Sequence, residues 1–404
     1  MRFVLLLGVL SFGWCLGLGA AAAQALPAPR WVRSVEIARP GTTVRAAPTT
    51  ESGRRGTIQM GTRVPFLSRV RGERCPGGEW IQIGAHAFVC ETLVRFSPAP
   101  PAGDVLPRVA PDALIPRMHA FVATDGTWAY ARPDDYFRDR WVESLGRGFG
   151  VAIIERRAVG GVEMARTMSN LWIPVRELRW ARPSDFRGVD IDAEHPLDRI
   201  GWVSRARAPL RSRPGGRVVG RATRLMLVNI YEEERAFLRI GDDQWISAAH
   251  VARPRAGEVP DEVTEGARWI DVDTQRQVVT AYVGERPVYA TAVSTGRART
   301  PTPRGVHRIW VKLAEDDMDD LEREDVVENY AIQAVPWVQY FEEGNGFHAV
   351  FWHDRFGHAR SHGCVNLAPT DARWLFEFTQ PGLPPGWDAV LAHDREPGTV
   401  VRVR

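Results

Sequence analysis

The residues best suited to chemistry lie near the end of the 404-residue chain, in the run Ser361-His362-Gly363-Cys364-Val365-Asn366. A cysteine acts as a nucleophile through its thiolate, which needs a nearby imidazole or a group of N–H dipoles. His348 and His362 are both candidates for that base, and Gly363 lets the backbone approach a substrate closely. Backbone N–H groups around Gly363 and Cys364 are placed to stabilise an oxyanion. The pattern predicts covalent acyl transfer with Cys364 as the nucleophile.

Short alternating runs upstream must hold these residues in place. The segments 269–273, 278–283 and 288–293 alternate like strands and are separated by turns, so they predict a β-meander. The stiff, turn-rich segment Thr300–Gly305 follows, and residues 370–379 predict a helix directly after the cysteine. The candidate nucleophile therefore lies between a strand and a helix.

This last third of the chain resembles the L,D-transpeptidase family, the YkuD-type catalytic domain. The resemblance rests on His348, on the run 361–366, and on Ser-Thr-Gly at 294–296 and Thr-Pro-Thr-Pro-Arg-Gly at 300–305. It implies a β-sandwich with a short helix over residues 266–395, with Cys364 as nucleophile and His348 as base. It further implies that His362 orders the site and assists the chemistry. A set of residues is expected to shape or contact the substrate site: Ser361, Asn366, Trp352 and Ala349, the last through a carbonyl that orients the base.

The reaction that the resemblance implies takes place on peptidoglycan stem peptides and needs no cofactor or metal. Cys364 attacks the carbonyl between the third stem residue and D-Ala, and the resulting thioester passes to an amine of a neighbouring stem as a 3→3 cross-link. Water as acceptor would make an L,D-carboxypeptidase, and a protein amine would make an anchoring enzyme. The residues leave these three acceptors open.

Two interpretations from other classes remain beside the enzyme. The ligand-type cluster of His348, His353, His358, His362 and Cys364 suggests a metal site, although its spacing puts some of these side chains on opposite faces of an extended strand. The second interpretation is a protein that binds the cell wall without catalysing a reaction.

The acidic run 315–320 lacks the central glycine of a calcium-binding loop, so we expect it in a solvated loop or at a helix start.

The first 25 residues predict a cleaved secretory signal peptide. Arg2 is followed by the apolar stretch 3–18 and by a run of small residues up to Ala25. We therefore expect a periplasmic or cell-envelope protein with no stable membrane insertion after cleavage; an uncleaved anchor is the alternative. Export makes disulfides possible, and Cys75 and Cys90 are the natural pair because they share one short β-rich segment. Cys364 is then left as a free thiol.

Between the leader and the catalytic segment, short strands broken by Gly and Pro predict a mainly β protein. Three segments resemble bacterial SH3-like modules, the second only loosely: residues 33–96, 118–185 and 200–254, with a linker at 97–117. We expect these modules to direct where the enzyme works, with glycan strands as a candidate ligand, so a chain beginning near Glu262 should keep its chemistry. The net charge of +3 is spread without a basic stripe, which argues against nucleic acid. We expect a monomer.

Overall fold

The computed structural model describes residues 25–319 and 331–404. All of the predicted signal peptide except Ala25 lies outside the described residues. Within the described part, none of the helices combines the length and the apolar character needed to span a membrane.

The first segment folds into short antiparallel strands around a small apolar core. Val35, Ile37, Ile58 and Ile81 are fully buried in it. The structure joins Cys75 to Cys90 by a disulfide, whereas Cys364 is a free thiol. Its strands are β1 (Ala25–Leu26), β2 (Ser34–Ile37), β3 (Thr42–Arg45), β4 (Arg54–Ile58), β5 (Arg63–Pro65), β6 (Ser68–Val70), β7 (Trp80–Gly84), β8 (Ala87–Cys90) and β9 (Val94–Ser97).

The second and third segments are also built from short strands. The second contains β10 (Met118–Val122), β11 (Thr127–Ala129), β12 (Glu143–Leu145), β13 (Gly150–Val159), β14 (Val162–Thr167), β15 (Trp172–Pro174) and β16 (Leu178–Trp180). After β17 (Val189–Asp190), the third contains β18 (Ile200–Val203), β19 (Arg207–Arg211), β20 (Val218–Thr223), β21 (Leu227–Asn229), β22 (Glu232–Glu234), β23 (Phe237–Gly241), β24 (Gln244–Ser247) and β25 (Val251–Ala252). Single 3₁₀ turns occur at Glu91–Leu93, Pro133–Arg138, Val175–Glu177, Leu197–Arg199 and Ala248–His250.

The C-terminal region is a two-sheet structure with one α-helix. Its elements are β26 (Arg268–Asp273), β27 (Val278–Val283), β28 (Arg286–Ala292), β29 (Gly305–Arg308), β30 (Val311–Asp319), β31 (Ala331–Glu342), β32 (Asn345–Ala349), β33 (Val365–Leu367), α1 (Pro369–Phe378), β34 (Trp387–Leu391) and β35 (Val400–Val403). One sheet has the order β17-β28-β27-β26-β35-β29, and the other contains β34-β30-β31-β32-β33. Apolar side chains from both sheets fill the space between them, including Ile270, Val279, Val338 and Phe347.

Helix α1 is held at both ends by buried polar groups. Asp371, in its first turn, accepts hydrogen bonds from Gly188 N, Tyr289 Oη and Thr291 Oγ1. At the other end, Lys312 is fully buried and its Nζ donates to Phe376 O and Thr379 O. A cation at this end satisfies backbone carbonyls that have no partner within the helix. These contacts fix the helix that follows the nucleophile.

One expectation from the sequence needs correction. The described part of the acidic run, residues 315–319, belongs to strand β30 rather than to a loop or helix start. Strands of the first and second segments pair with the C-terminal region: β4 pairs with β34, and β13 meets β31 at Gly150 and Ile332. Strand β17, which lies between the second and third segments, pairs with β28. In the pairing of the described strands none of the segments closes into a barrel, so the SH3-like character stays a prediction.

Candidate active site

The nucleophile segment is placed by two parallel strands. Strand β33 lies beside β32 with His348 opposite Asn366, and residues 350–364 connect the two strands. Two neighbouring parallel strands need a crossover connection of this kind, because the chain must return to the same end of the sheet before the second strand begins. As a result, Cys364 directly precedes β33 and lies two residues before Asn366, which is opposite His348 on β32.

A network of side-chain hydrogen bonds fixes the bend before Cys364. Ser361 Oγ accepts from Gly363 N at 3.1 Å and donates to Cys364 O at 2.5 Å. Thr302 Oγ1 donates to Gly363 O at 2.7 Å, which ties the bend to the turn-rich segment 300–305. Position 363 requires glycine, because its φ is +133° and an added Cβ would lie 2.0 Å from Asn345 Oδ1. The Gly363 N–H is thus already bonded to Ser361.

His348 is buried and has a defined tautomer. Its Nδ1 lies 3.0 Å from Ala349 O, and a carbonyl can only accept, so Nδ1 carries the proton and Nε2 is the basic atom. Burial lowers the pKa of His348 to about 4, partly opposed by the Ala349 carbonyl. Trp352 stacks on the imidazole with ring centroids 5.9 Å apart. His348 is therefore a neutral, oriented imidazole at neutral pH.

Cys364 is half-buried and protonated at neutral pH. Burial raises the pKa of its thiol to about 11, although a backbone hydrogen bond from Gly346 opposes this. The thiol donates to Gly344 O, with Sγ 3.6 Å from that oxygen. Among the described residues the thiol therefore has hydrogen bonds to the backbone of Gly344 and Gly346 and none to His348. The resting pair is thus a neutral thiol and a neutral imidazole.

His362 is exposed and is held by an arginine. Arg297 Nη2 donates to His362 Nε2 over 2.9 Å. A guanidinium only donates, so Nε2 must accept and the proton of the neutral ring lies on Nδ1. This arrangement agrees with an ordering role for His362 and leaves His348 as the stronger candidate for the base.

Asn366 contacts a second histidine of the site, His353. The Nδ1 of His353 accepts from Arg355 N at 3.2 Å, so its Nε2 carries the proton. Asn366 lies 3.3 Å from that Nε2 and, with its amide turned, offers Oδ1, which is otherwise buried without a partner. Burial and the charge of Arg360 lower the pKa of His353 to about 4. Asn366 and His353 therefore form a neutral pair beside His348.

A cavity of about 430 Å³ brings most of the predicted site residues together. Cys364, His348, His362, Ser361, Asn366 and Trp352 line it, whereas Gly363 and Ala349 act through their backbone behind it. The cavity also contains His353, which the sequence indicated only as a candidate metal ligand. The remaining lining residues were not indicated by the sequence patterns: Phe121, Gly148, Arg179, Arg297, Met318, Ile332, Gly344, Asn345 and Arg360. Arg297 directly follows the Ser-Thr-Gly segment, so its sequence position could have indicated it as a site residue. Arg179 belongs to the second segment, and no motif in the sequence indicates that it lies at the site.

The ligand-type cluster suggested by the sequence is not assembled. His358 turns toward the third segment, with its Nε2 2.9 Å from Ser204 O. Across residues 25–319 and 331–404, no three or more His, Cys, Asp or Glu side chains are arranged to hold a metal ion. The described side chains therefore give the metal interpretation no geometric support.

Comparison with known proteins identifies the C-terminal region. Residues 267–403 match the family model of YkuD, the L,D-transpeptidase catalytic domain. A Bacillus subtilis (strain 168) protein named "Putative L,D-transpeptidase YciB" is 27% identical over 139 residues, which make up 31% of this chain and 67% of that protein. The family match confirms the YkuD resemblance for residues 267–403.

Solved structures of L,D-transpeptidases are also similar. A structure from Enterococcus faecium is 23% identical, with a TM-score of 0.27. The similar region covers 34% of this chain and 49% of the Enterococcus chain. One from Mycobacterium smegmatis is 17% identical and covers 63% of this chain and 99% of its own, with a TM-score of 0.29. The chain thus spans about half the length of the Enterococcus structure.

Proposed function

We propose that this chain is an exported peptidoglycan L,D-transpeptidase with Cys364 as its nucleophile. The observation that carries the proposal is the shared cavity: the Cys364 thiol and the His348 imidazole, with Nε2 as its basic atom, both line it within residues 267–403. A thiol and an oriented neutral imidazole are the two groups that cysteine-based acyl transfer requires.

The first half-reaction forms a thioester. The thiol leaves Gly344 O and gives its proton to His348 Nε2 as Sγ attacks the carbonyl carbon between the third stem residue and D-Ala. The tetrahedral intermediate collapses, the C–N bond breaks, and the protonated imidazole returns the proton to the departing D-Ala amine. Because both groups start neutral, proton transfer accompanies attack rather than preceding it.

The second half-reaction transfers the acyl group. The side-chain amine of a neighbouring stem attacks the thioester and its proton passes to His348 Nε2. The C–S bond then breaks, and the imidazolium returns that proton to Sγ, which restores the neutral thiol and imidazole. The product is a 3→3 cross-link. Water or a protein amine at the same position would give the hydrolytic or anchoring reaction instead.

Residues 1–25 are proposed to direct export to the periplasm or cell envelope, where stem peptides are found and where the Cys75–Cys90 disulfide is stable. The protein is proposed to act as a monomer. The upstream segments remain candidates for binding glycan strands.

The test is incubation with a disaccharide-tetrapeptide, alone and with a second stem as acceptor, followed by mass spectrometry. A cross-linked dimer with loss of D-Ala supports the proposal, and free tripeptide alone indicates the carboxypeptidase. Cys364→Ser and His348→Ala should both abolish or strongly reduce product. His195→Ala, a histidine outside the cavity, is the matched control and should retain activity. Product formation by Cys364→Ser would overturn the proposal.

A further inference from the structure

Part of the cavity wall comes from the second segment. Phe121 on β10, Gly148 and Arg179 on β16 line the same cavity as the nucleophile. This segment is fixed against the C-terminal region by His119, whose Nε2 lies 3.0 Å from Gln333 O, and by the parallel contact between Gly150 and Ile332. Arg179 is therefore held at the site by the fold and not by a flexible linker.

The position of the Arg179 side chain is set by an aromatic ring. Arg179 and Phe121 are directly paired across β10 and β16, and the guanidinium carbon lies 5.4 Å from the Phe121 ring centroid. Phe121 is itself buried and packs near Phe351. A cation over an aromatic face keeps its N–H groups free for another partner. Arg179 is exposed toward the cavity with those donors available.

The described lining of the cavity is positively charged. It includes Arg179, Arg297 and Arg360 and no Asp or Glu. Among the described residues, none of these three arginines forms an ion pair, and Asp354 next to His353 pairs with Arg224 instead. Burial and the charges of Arg355 and Arg297 lower the pKa of Arg360, so the cations repel one another. A carboxylate in the cavity would relieve this repulsion and accept paired N–H bonds from a guanidinium.

We propose that Arg179 is a specificity-determining residue that binds a carboxylate of the acyl-donor peptide beside Cys364. This rests on the proposed function for the identity of the donor, a stem peptide with carboxylates at its third residue and at its C-terminal D-Ala. A segment outside the matched catalytic domain thereby completes the substrate site. On this proposal, a chain beginning near Glu262 would lack Arg179 and would lose part of its binding of the donor.

The first test probes the charge without any substrate. Iodoacetate and iodoacetamide alkylate the same thiol and differ mainly in charge, so the ratio of their rates at Cys364 reports the local potential. Arg179→Gln should lower the iodoacetate-to-iodoacetamide ratio about three- to tenfold, the size expected when one charge several ångströms away is removed from a partly solvated cavity. Arg176→Gln is the matched control, because Arg176 is also exposed and lies over a tyrosine ring but pairs with Glu177. Its ratio should stay at the wild-type value.

Two further measurements guard against misfolding. Arg179→Lys keeps the positive charge, so most of the iodoacetate-to-iodoacetamide ratio should be retained. The lysine cannot form the paired hydrogen bonds that a guanidinium makes to a carboxylate. In the wild-type protein, raising salt should lower the ratio, because screening weakens the attraction of the anionic reagent. Circular dichroism checks the fold of each variant.

The second test uses tetrapeptide donors with free or amidated carboxyl groups and follows D-Ala release. Arg179→Gln should raise KM for the free-acid donor about tenfold with a smaller change in kcat, and amidating the relevant carboxyl should erase that difference. Amides at the third residue and at the C-terminus are tested separately, which identifies the carboxylate bound.

The outcomes separate the two proposals. If stems are turned over but Arg179→Gln leaves the alkylation ratio unchanged, or Arg176→Gln lowers it equally, the anion site is overturned. If the ratio falls as expected and no stem is turned over by the wild-type protein, the proposed function is overturned and the anion site stands.

Discussion

The resting protonation state of Cys364 is open to a direct test through the pH dependence of its alkylation. Burial places the pKa of the thiol at about 11, whereas a free cysteine has about 8.5. At pH 7 the thiolate fraction is then about 10⁻⁴, compared with about 3% for a free thiol. The greater nucleophilicity of a more basic thiolate offsets about tenfold of this difference. We therefore expect alkylation by iodoacetamide at pH 7 to be about 30-fold slower than in the unfolded chain.

The shape of the pH profile is more diagnostic than the rate. Because His348 has a pKa of about 4, it is neutral above that pH and does not stabilise a thiolate by charge. The logarithm of the rate should rise by about one per pH unit through pH 10 without a plateau near neutrality. His348→Ala should leave this profile unchanged while lowering D-Ala release from a stem by about 10²–10⁴, the usual contribution of a general base.

The assay is mass-spectrometric quantification of the alkylated Cys364 peptide. The same protein in guanidinium chloride, with its disulfide intact, provides the free-thiol reference, and His362→Ala is the control for loss of a nearby imidazole. A plateau below pH 8 in the wild-type protein that disappears in His348→Ala would reveal a thiolate–imidazolium pair. That result would refute the argument from burial.

Three further predictions concern stability and domain organisation. Replacing Cys75 and Cys90 by Ser together should lower the free energy of unfolding by about 3 kcal/mol, as expected for a closed loop of this length, and an unchanged urea midpoint would contradict this. Lys312 has a folded pKa of about 7, below its unfolded value, so the unfolded chain binds more protons between about pH 7 and 10.5 and Lys312 makes stability rise with pH in that window. Lys312→Met should flatten this slope by up to about 1.4 kcal/mol per pH unit, measured by denaturation across the window. A chain beginning at Glu262 lacks the strands that pair with β28 and β34 and should show no cooperative thermal transition; a sharp transition would restore the view of an independent catalytic domain.

The local features of the catalytic region follow closely from the sequence. Alternation predicted the strands that became β26, β27 and β28, and the helix expected at 370–379 is observed at Pro369–Phe378. These predictions succeed because side-chain periodicity and turn residues act over a few neighbours. Cys364 and His348 are predicted as nucleophile and base for a related reason, since only certain residue types can serve in these roles.

The relation between segments was not predictable in the same way. The pairing of β4 with β34 and the contact of Gly150 with Ile332 join residues that are about two hundred or more positions apart. The backbone N–H and C=O groups of an edge strand can pair with any other strand in a suitable register. A local sequence pattern therefore does not indicate which strand becomes the partner. For this reason the upstream segments looked like separate modules in the sequence.

The sequence by itself determined which atoms carry the proposed chemistry, because nucleophilicity and basicity belong to the side chains of Cys364 and His348. Only the tertiary structure decided their protonation, because burial raises one pKa and lowers the other, and a carbonyl at Ala349 selects the tautomer. It also decided that Arg179 lines the same cavity as the nucleophile. Proximity across a folded chain is set by long-range packing, which residue spacing does not encode.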